Sequence, residues 1–142
     1  MNAFRISTEP IYGNFKDRKG PKKKKKNREI KPREGNEKDY LVFIRLLPCC
    51  ACPAPAPSEA HHLKSGTGER GAGMRSTDKW AVPLCHECHI NGVERVGSRN
   101  ETSWFEERGI DPLELARGLW SNKQDIAAML KVLITHKSEA GQ

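Results

Sequence analysis

Seven side chains near the middle of the sequence have the types and spacing of metal ligands. Two Cys-x-x-Cys pairs lie on either side of two adjacent histidines, and a third histidine follows the second pair: Cys49, Cys52, His61, His62, Cys85, Cys88 and His89. A Cys-x-x-Cys turn presents two thiolates to one ion, and two such turns complete a tetrahedron around Zn²⁺. We therefore predict a structural zinc with four thiolate ligands, which leaves the histidines free for other chemistry. Redox-active thiols are the alternative.

The three histidines have the properties that phosphodiester hydrolysis requires. A divalent cation must neutralise charge on the phosphorus and the leaving 3′ oxygen, and a separate base must take a proton from the attacking water. Histidine suits the second role because its unperturbed pKa is about 6.5. Neighbours on a strand point to opposite faces, so His61 and His62 can divide these roles. Alternatively, both are ordinary surface or core residues and the zinc only supports a binding loop.

Composition and charge limit the class of protein. Among 142 residues, 36% are hydrophobic, which predicts a modest core that a structural metal would supplement. The five cysteines are an odd number, and neither a signal peptide nor an apolar run of membrane-spanning length is apparent, which favours a reducing cytoplasm and no membrane partner. The net charge is +7, and residues 1–39 carry all of the excess, with 13 Lys/Arg against 6 Asp/Glu.

The basic N-terminal segment is expected to be a disordered arm. It has few apolar residues and no sustained hydrophobic period. Its lysine run would displace counterions from a nucleic-acid backbone and give salt-dependent binding without sequence specificity. A solubilising tail or a nuclear localisation signal are the alternatives. The run consists of Lys22, Lys23, Lys24, Lys25 and Lys26.

Local patterns predict the elements that must position the cysteines and histidines. An apolar run at 40–47 favours a short helix, residues 59–63 and 80–84 are expected to pair as a hairpin, and glycines at 65–73 indicate a flexible loop. A short helix should begin near His86 or Cys88. Asn100 is expected to cap a helix that Gly109 closes, and two capping patterns predict further helices after Asp111 and Ser121.

Three motifs resemble those of the HNH (ββα-metal) endonuclease family in its zinc-knuckle form. They are Cys49-x-x-Cys52, Ala60-His61-His62-Leu63 and Val82-Pro83-Leu84-Cys85-x-x-Cys88-His89. Within the family, the loop with Gly73-Met74, the strand into Cys85 and Trp104-Phe105-Glu106 are similar to phage recombination-enhancement nucleases, which depend on RecA. The resemblance covers roughly residues 40–110.

The resemblance implies a role for each histidine. His61 and His89 would be ligands of the catalytic metal and His62 the general base. The middle letter of the motif, usually Asn, has Asp78 as its nearest candidate. Many relatives carry another histidine four residues after the last one, where this chain has Val93. Two protein ligands would suit Mg²⁺ or Mn²⁺ as well as Zn²⁺. Asn91 or Glu94 could contribute, and Arg70, Arg75, Arg95 and Arg99 are candidate phosphate contacts.

Together these observations predict an α+β protein with a small ββα-metal (HNH) domain, a four-cysteine zinc knuckle, short flanking helices and a basic arm. The expected divisions are the arm at 1–38, the nuclease domain at 39–110 and a helical extension at 111–142. The expected function is a metal-dependent DNA endonuclease that leaves 5′-phosphate and 3′-hydroxyl ends, and the resemblance adds a RecA-type recombinase filament as partner. A bacterial or phage origin and nucleoid association would follow. A non-catalytic zinc-ribbon nucleic-acid-binding protein or a degenerate HNH domain are the alternatives.

Overall fold

A computed structural model describes residues 33–69 and 74–141, and it has an α+β fold. The elements in chain order are α1 (Lys38–Arg45), β1 (Glu59–His62), a 3₁₀ turn (Asp78–Trp80), β2 (Ala81–Leu84), a π-helix (Glu87–Glu94), α2 (Glu101–Glu106), α3 (Pro112–Ser121) and α4 (Ile126–Ala140). They belong to one compact unit, Pro32–Gln142.

The two strands form the predicted antiparallel hairpin. Glu59 lies opposite Leu84 and His62 lies opposite Ala81, and all four residues of β2 are buried. Trp80, expected in the second strand, instead ends the 3₁₀ turn, although its carbonyl accepts a hydrogen bond from Leu63 N at 3.0 Å. The period of two along β1 turns His61 into the protein interior, while His62 remains partly exposed.

Helices cover the hairpin and form the core with it. The predicted helix at 40–47 is confirmed as α1, which packs against both strands and buries Tyr40 and Ile44. Helix α3 packs against β2, the 3₁₀ turn and α4. The apolar stripe of α4 faces inward, with Met129 and Leu133 buried. The hairpin edge that carries the histidines therefore lies on the same side of the fold as the π-helix and α2.

The N-terminal ends of α3 and α4 test two of the capping predictions. Asp111 caps α3 as predicted, because its Oδ1 accepts from Leu113 N and Glu114 N, both at 3.0 Å. The cap predicted at Ser121 is wrong, since α3 continues through that residue. A turn follows in which Gln124 has a φ of +74°, and Asp125 caps α4 by accepting from Ala128 N at 3.0 Å.

Helix α2 begins directly after Asn100, as predicted, but no capping hydrogen bond comes from the side chain of Asn100. Its side-chain amide donates to Val96 O at 3.1 Å, so it supports the preceding turn instead of the first turn of α2. Gly109 follows α2 with a φ of +68°, the left-handed conformation expected after a helix end. The helix expected near His86 forms as a π-helix.

Candidate functional site

Four cysteine side chains come together as the Cys-x-x-Cys spacing predicts. The sulfur atoms of Cys49, Cys52, Cys85 and Cys88 all lie within 4.8 Å of one another, and none is in a disulfide. The Sγ atoms of Cys52 and Cys85 are 3.6 Å apart. A tetrahedron with Zn–S bonds of about 2.3 Å has sulfurs about 3.8 Å apart. This cluster could therefore hold a structural metal such as zinc.

Backbone donors around the sulfurs also fit a metal–thiolate cluster. Ala51 N and Ala54 N donate to Cys49 Sγ and Cys52 Sγ, both at 3.4 Å, and Cys88 N donates to Cys85 Sγ at 3.5 Å. Such donors disperse the negative charge of bound thiolates. Burial raises the pKa of Cys85, but the hydrogen bonds from Cys88 N and from neighbouring thiols outweigh it and bring the pKa below its usual value.

A further cysteine and a lysine of α4 lie next to the cluster in the described part of the chain. Cys50 is buried and lies outside the four-sulfur cluster, as expected for the remaining thiol. Lys137 of α4 donates from Nζ to Cys52 O at 3.1 Å. The C-terminal helix is therefore tied directly to the first Cys-x-x-Cys turn, and its ammonium group lies beside a cluster that would be negatively charged with metal bound.

A second potential metal group forms at the histidines. His61, His89 and Glu94 each offer a ligand atom within 4.8 Å of the others. Glu94 Oε1 lies 3.3 Å from His61 Nδ1 and 3.8 Å from His89 Nε2. The structure thus brings together the two histidines expected to share a metal and adds Glu94 to them. Asn91, the other suggested contributor, instead donates to Glu87 Oε2 at 2.7 Å.

The π-helix explains why Glu94, and not residue 93, joins the histidines. In an α-helix, the residue four positions after His89 shares its face, and that residue is Val93. In a π-helix the hydrogen bonds run from i to i+5, so the residue five positions on takes that place. Val93 is accordingly buried in the core. A search of the sequence for side-chain pairs at i and i+4 therefore misses Glu94, which lies five positions after His89.

Two carboxylates that the sequence analysis did not single out contact His61 and His89. Glu101 Oε1 lies 2.8 Å from His61 Nε2, and its Oε2 accepts from Lys64 N and Ser65 N, both at 2.7 Å. Burial raises the pKa of Glu101, but these hydrogen bonds outweigh it and bring the pKa below its usual value. No local pattern could identify Glu101, which is 40 residues from His61 along the chain.

Glu59 plays the corresponding part at His89. Its Oε2 lies 2.6 Å from His89 Nδ1, and its Oε1 lies 2.8 Å from Nδ1 of the exposed His86. Hydrogen bonds from the two histidines lower the pKa of Glu59. The pKa of Glu94 is lowered as well, because its ion pair with Lys64 and the nearby histidines together outweigh the effect of burial.

The remaining histidine, His62, is paired with Asp78. Its Nε2 lies 2.7 Å from Asp78 Oδ1, while Asp78 Oδ2 accepts from Glu37 N at 3.0 Å. Burial lowers the pKa of His62, and the hydrogen bond to Asp78 opposes this shift only in part. The structure therefore brings Asp78, the candidate for the middle letter, into direct contact with the candidate base.

His61, His62, His89 and Glu94 line one pocket of about 380 Å³. Lys64 and Arg75 also line it, and the Arg75 side chain is 66% exposed. Arg95 and Arg99 are exposed but are not among the described residues at this pocket. Arg70 and Lys22–26 lie outside the described residues, as does most of the proposed arm. Lys64 is the cation that the sequence analysis missed.

None of the helices in the described part of the chain has the length and apolar character needed to cross a membrane.

Comparison with known proteins gives a family and no activity. No curated protein and no solved structure matches the chain. A family model described as a protein of unknown function, DUF968, matches residues 23–122, which is most of the chain. The HNH resemblance therefore stays a prediction. The protein belongs to the DUF968 family.

Proposed function

We propose that this protein is a metal-dependent DNA endonuclease of the HNH (ββα-metal) type, which leaves 5′-phosphate and 3′-hydroxyl ends. One observation carries the proposal: a single pocket is lined by a potential metal group, His61, His89 and Glu94, and by His62, which is hydrogen-bonded to the buried Asp78. Phosphodiester hydrolysis requires these two parts side by side, a cation and a base.

The order of elements supports the same assignment. An antiparallel hairpin is followed by a helix, with His61 and His62 on the first strand and His89 on the helix. A ββα-metal site needs this connection because its ligands come from a strand and from the helix that returns to it. The four-cysteine cluster joins the loop between α1 and β1 to the start of the π-helix, which carries His89 and Glu94.

The donor set suits a divalent cation. Two imidazoles and one carboxylate can bind Zn²⁺ or Mn²⁺, and Mg²⁺ where water and phosphate oxygens complete its shell. Such a cation, when bound, supplies positive charge for the phosphate and for the leaving oxygen. Lys64, which pairs with Glu94, and Arg75 add positive side chains at the same pocket and can contact the DNA backbone.

His62 has the arrangement of a general base. Asp78 Oδ1 accepts a hydrogen bond from the Nε2–H group of His62. The lone pair is then on Nδ1, which can take a proton from water. Glu37 N and Asn36 hold Asp78 in turn, through its side chain and its backbone N–H. The base is thus positioned, through Asp78, by the residues just before α1.

The wider parts of the proposal concern partners. The lysine run at 22–26 would contact the DNA backbone without sequence preference. The similarity to recombination-enhancement nucleases adds a RecA-type recombinase filament as partner and nucleoid DNA of a bacterium or phage as setting. Both rest on that similarity and on the charge of the arm.

The test is DNA cleavage by the full chain with Mg²⁺ or Mn²⁺, on plasmid DNA and on single-stranded DNA with and without a recombinase filament. His62→Ala should reduce the nicking rate by about 10²–10⁴-fold, the usual contribution of a general base, and leave DNA affinity unchanged. His136→Ala on α4 is the control because its Nδ1 bonds to Val132 O in its own helix, away from the pocket. Equal rates for wild type and His62→Ala, or no cleavage by wild type on any substrate, would refute the proposal.

A non-catalytic zinc-ribbon nucleic-acid-binding protein is the second candidate. The burial of His61, whose side chain is 1% exposed, favours it, because a core histidine paired with Glu101 needs no catalytic metal. This candidate predicts DNA binding without cleavage and no second metal ion after the cysteine cluster is filled. The cleavage assay and a metal titration therefore separate the two functions.

A further inference from the structure

The two histidines of the potential metal group contact carboxylates through opposite ring nitrogens. His61 uses Nε2 for Glu101 and turns Nδ1 toward Glu94. His89 uses Nδ1 for Glu59 and turns Nε2 toward Glu94. A neutral imidazole carries a proton on only one nitrogen, so each of these contacts can decide which nitrogen is left to bind a metal.

We infer that Glu101 is a positioning residue that holds His61 in the Nε2–H tautomer, and that Glu59 holds His89 in the Nδ1–H tautomer, so that both lone pairs face Glu94. The inference rests on the proposed metal group and goes further, because it assigns a function to two carboxylates outside it. An ionised carboxylate only accepts hydrogen bonds, and the single proton of a neutral imidazole goes to the nitrogen with the shorter carboxylate contact. For His61 that is Nε2, at 2.8 Å from Glu101 against 3.3 Å from Nδ1 to Glu94, and for His89 it is Nδ1, at 2.6 Å from Glu59 against 3.8 Å from Nε2 to Glu94.

Glu101 is held firmly in place by burial and by hydrogen bonds. Its side chain is 2% exposed, and three donors surround it: His61 and the backbone N–H groups of Lys64 and Ser65. The two backbone donors come from the residues just after β1, at the start of the glycine-containing loop. Glu101 therefore fixes the orientation of the metal-facing histidine and the exit of its strand together.

This geometry makes Glu101→Gln a specific probe. A glutamine has one accepting oxygen and one donating amide group. If its oxygen stays with the N–H groups of Lys64 and Ser65, its amide donates to His61 Nε2 and forces the proton onto Nδ1. The opposite orientation would leave two buried backbone donors facing an NH₂ group with no acceptor, which is unfavourable. The substitution should thus invert the tautomer of His61 and block its metal-facing nitrogen.

Glu59→Gln is the matched comparison within the same site. Both partners of Glu59 are imidazole nitrogens, His86 Nδ1 and His89 Nδ1. A glutamine can accept from His89 and donate to His86, which is exposed and free to change its own tautomer. The same chemical change should therefore leave the tautomer of His89 unaltered. Glu107→Gln, whose side chain is 75% exposed, controls for charge.

The experiment uses the full chain with its cysteine site filled with zinc. Nitrogen-15 NMR of the histidine rings reports each tautomer, and calorimetric titration with Mn²⁺ reports the second site. Mn²⁺ serves as probe because thiolate sites prefer zinc. Wild type should have His61 as Nε2–H and His89 as Nδ1–H. Glu101→Gln should change His61 to Nδ1–H and weaken Mn²⁺ binding by about 10–100-fold, the usual loss for such an outer contact, while Glu59→Gln changes neither tautomer.

The possible failures are distinguishable. The inference is overturned if wild-type His61 carries its proton on Nδ1, a measurement that needs no variant, or if Glu101→Gln folds and leaves the His61 tautomer and Mn²⁺ affinity unchanged. If wild type has the expected tautomers but takes up no Mn²⁺, the tautomer assignment stands and the metal centre of the proposed function is refuted.

Discussion

Replacement of one cysteine in the four-sulfur cluster should unfold the protein, whereas replacement of the neighbouring cysteine should not. Cys85→Ser removes a thiolate from the cluster, and Cys50→Ser makes the same chemical change at a buried cysteine outside it. The two variants therefore separate the loss of a metal ligand from the general effect of exchanging sulfur for oxygen in the core.

The magnitudes decide the outcome. A domain of the roughly 100 residues described here has a free energy of unfolding of about 5–15 kcal/mol, at about 0.05–0.15 kcal/mol per residue. Structural zinc sites contribute about 10–16 kcal/mol of binding free energy at neutral pH. Loss of the zinc thus removes a free energy as large as the whole stability. At Cys50, a buried hydroxyl without a partner costs about 1–3 kcal/mol, which lowers the melting temperature but preserves folding.

The assay combines elemental analysis of the purified proteins with thermal unfolding followed by circular dichroism. Wild type and Cys50→Ser should each contain one zinc per chain and unfold cooperatively. Cys85→Ser should contain none and lack a cooperative transition. If Cys85→Ser unfolds as cooperatively as Cys50→Ser, or if wild type folds without zinc, the reasoning about the cluster is refuted.

Three further predictions concern the base, the π-helix and the arm. Asp78→Asn should reduce nicking by about 10²–10⁴-fold, and adding it to His62→Ala should cause no further loss, because Asp78 acts through His62; additive losses in the double variant would contradict this. Gly92→Ala would place a methyl carbon 2.8 Å from a ring carbon of Trp104, so the free energy of unfolding measured by urea denaturation should fall by about 1–3 kcal/mol. Gly141→Ala, whose added methyl has its nearest neighbours at 3.7 Å, should change the free energy of unfolding little. Deletion of residues 1–31 should flatten the salt dependence of DNA binding and leave the fold intact, and an unchanged salt slope would argue against an arm that binds DNA.

The features predicted correctly from the sequence are those that local spacing determines. The four-cysteine cluster follows from two Cys-x-x-Cys turns, and the opposite orientations of His61 and His62 follow from the period of a strand. The start of α3 follows from Asp111 and the proline after it. Each of these begins from residues within a few positions of one another, although the two Cys-x-x-Cys turns meet only through the fold, since Cys52 and Cys85 are 33 residues apart.

The missed features depend on tertiary contacts or on unusual local geometry. Glu101 and Glu59 reach their histidines from 40 and 30 residues away along the chain. Ser121 has the pattern of a helix cap, but the continuing burial of α3 against α4 keeps it helical and moves the cap to Asp125. Whether a local signal or tertiary packing determines the end of a helix becomes apparent only in the folded structure.

The π-helix also determines how this site can change in length during evolution. In an ordinary α-helix, the loss of one residue turns everything beyond it by about 100° around the axis and moves a ligand off its face. Here the loss of one residue between His89 and Glu94 would convert the wide turn to α-helical geometry, and the carboxylate would then stand four positions after the histidine, again on the same face. The segment can thus lose one residue and keep the carboxylate beside the histidine, so alignments of this family should allow a gap here before they treat the third potential ligand as absent.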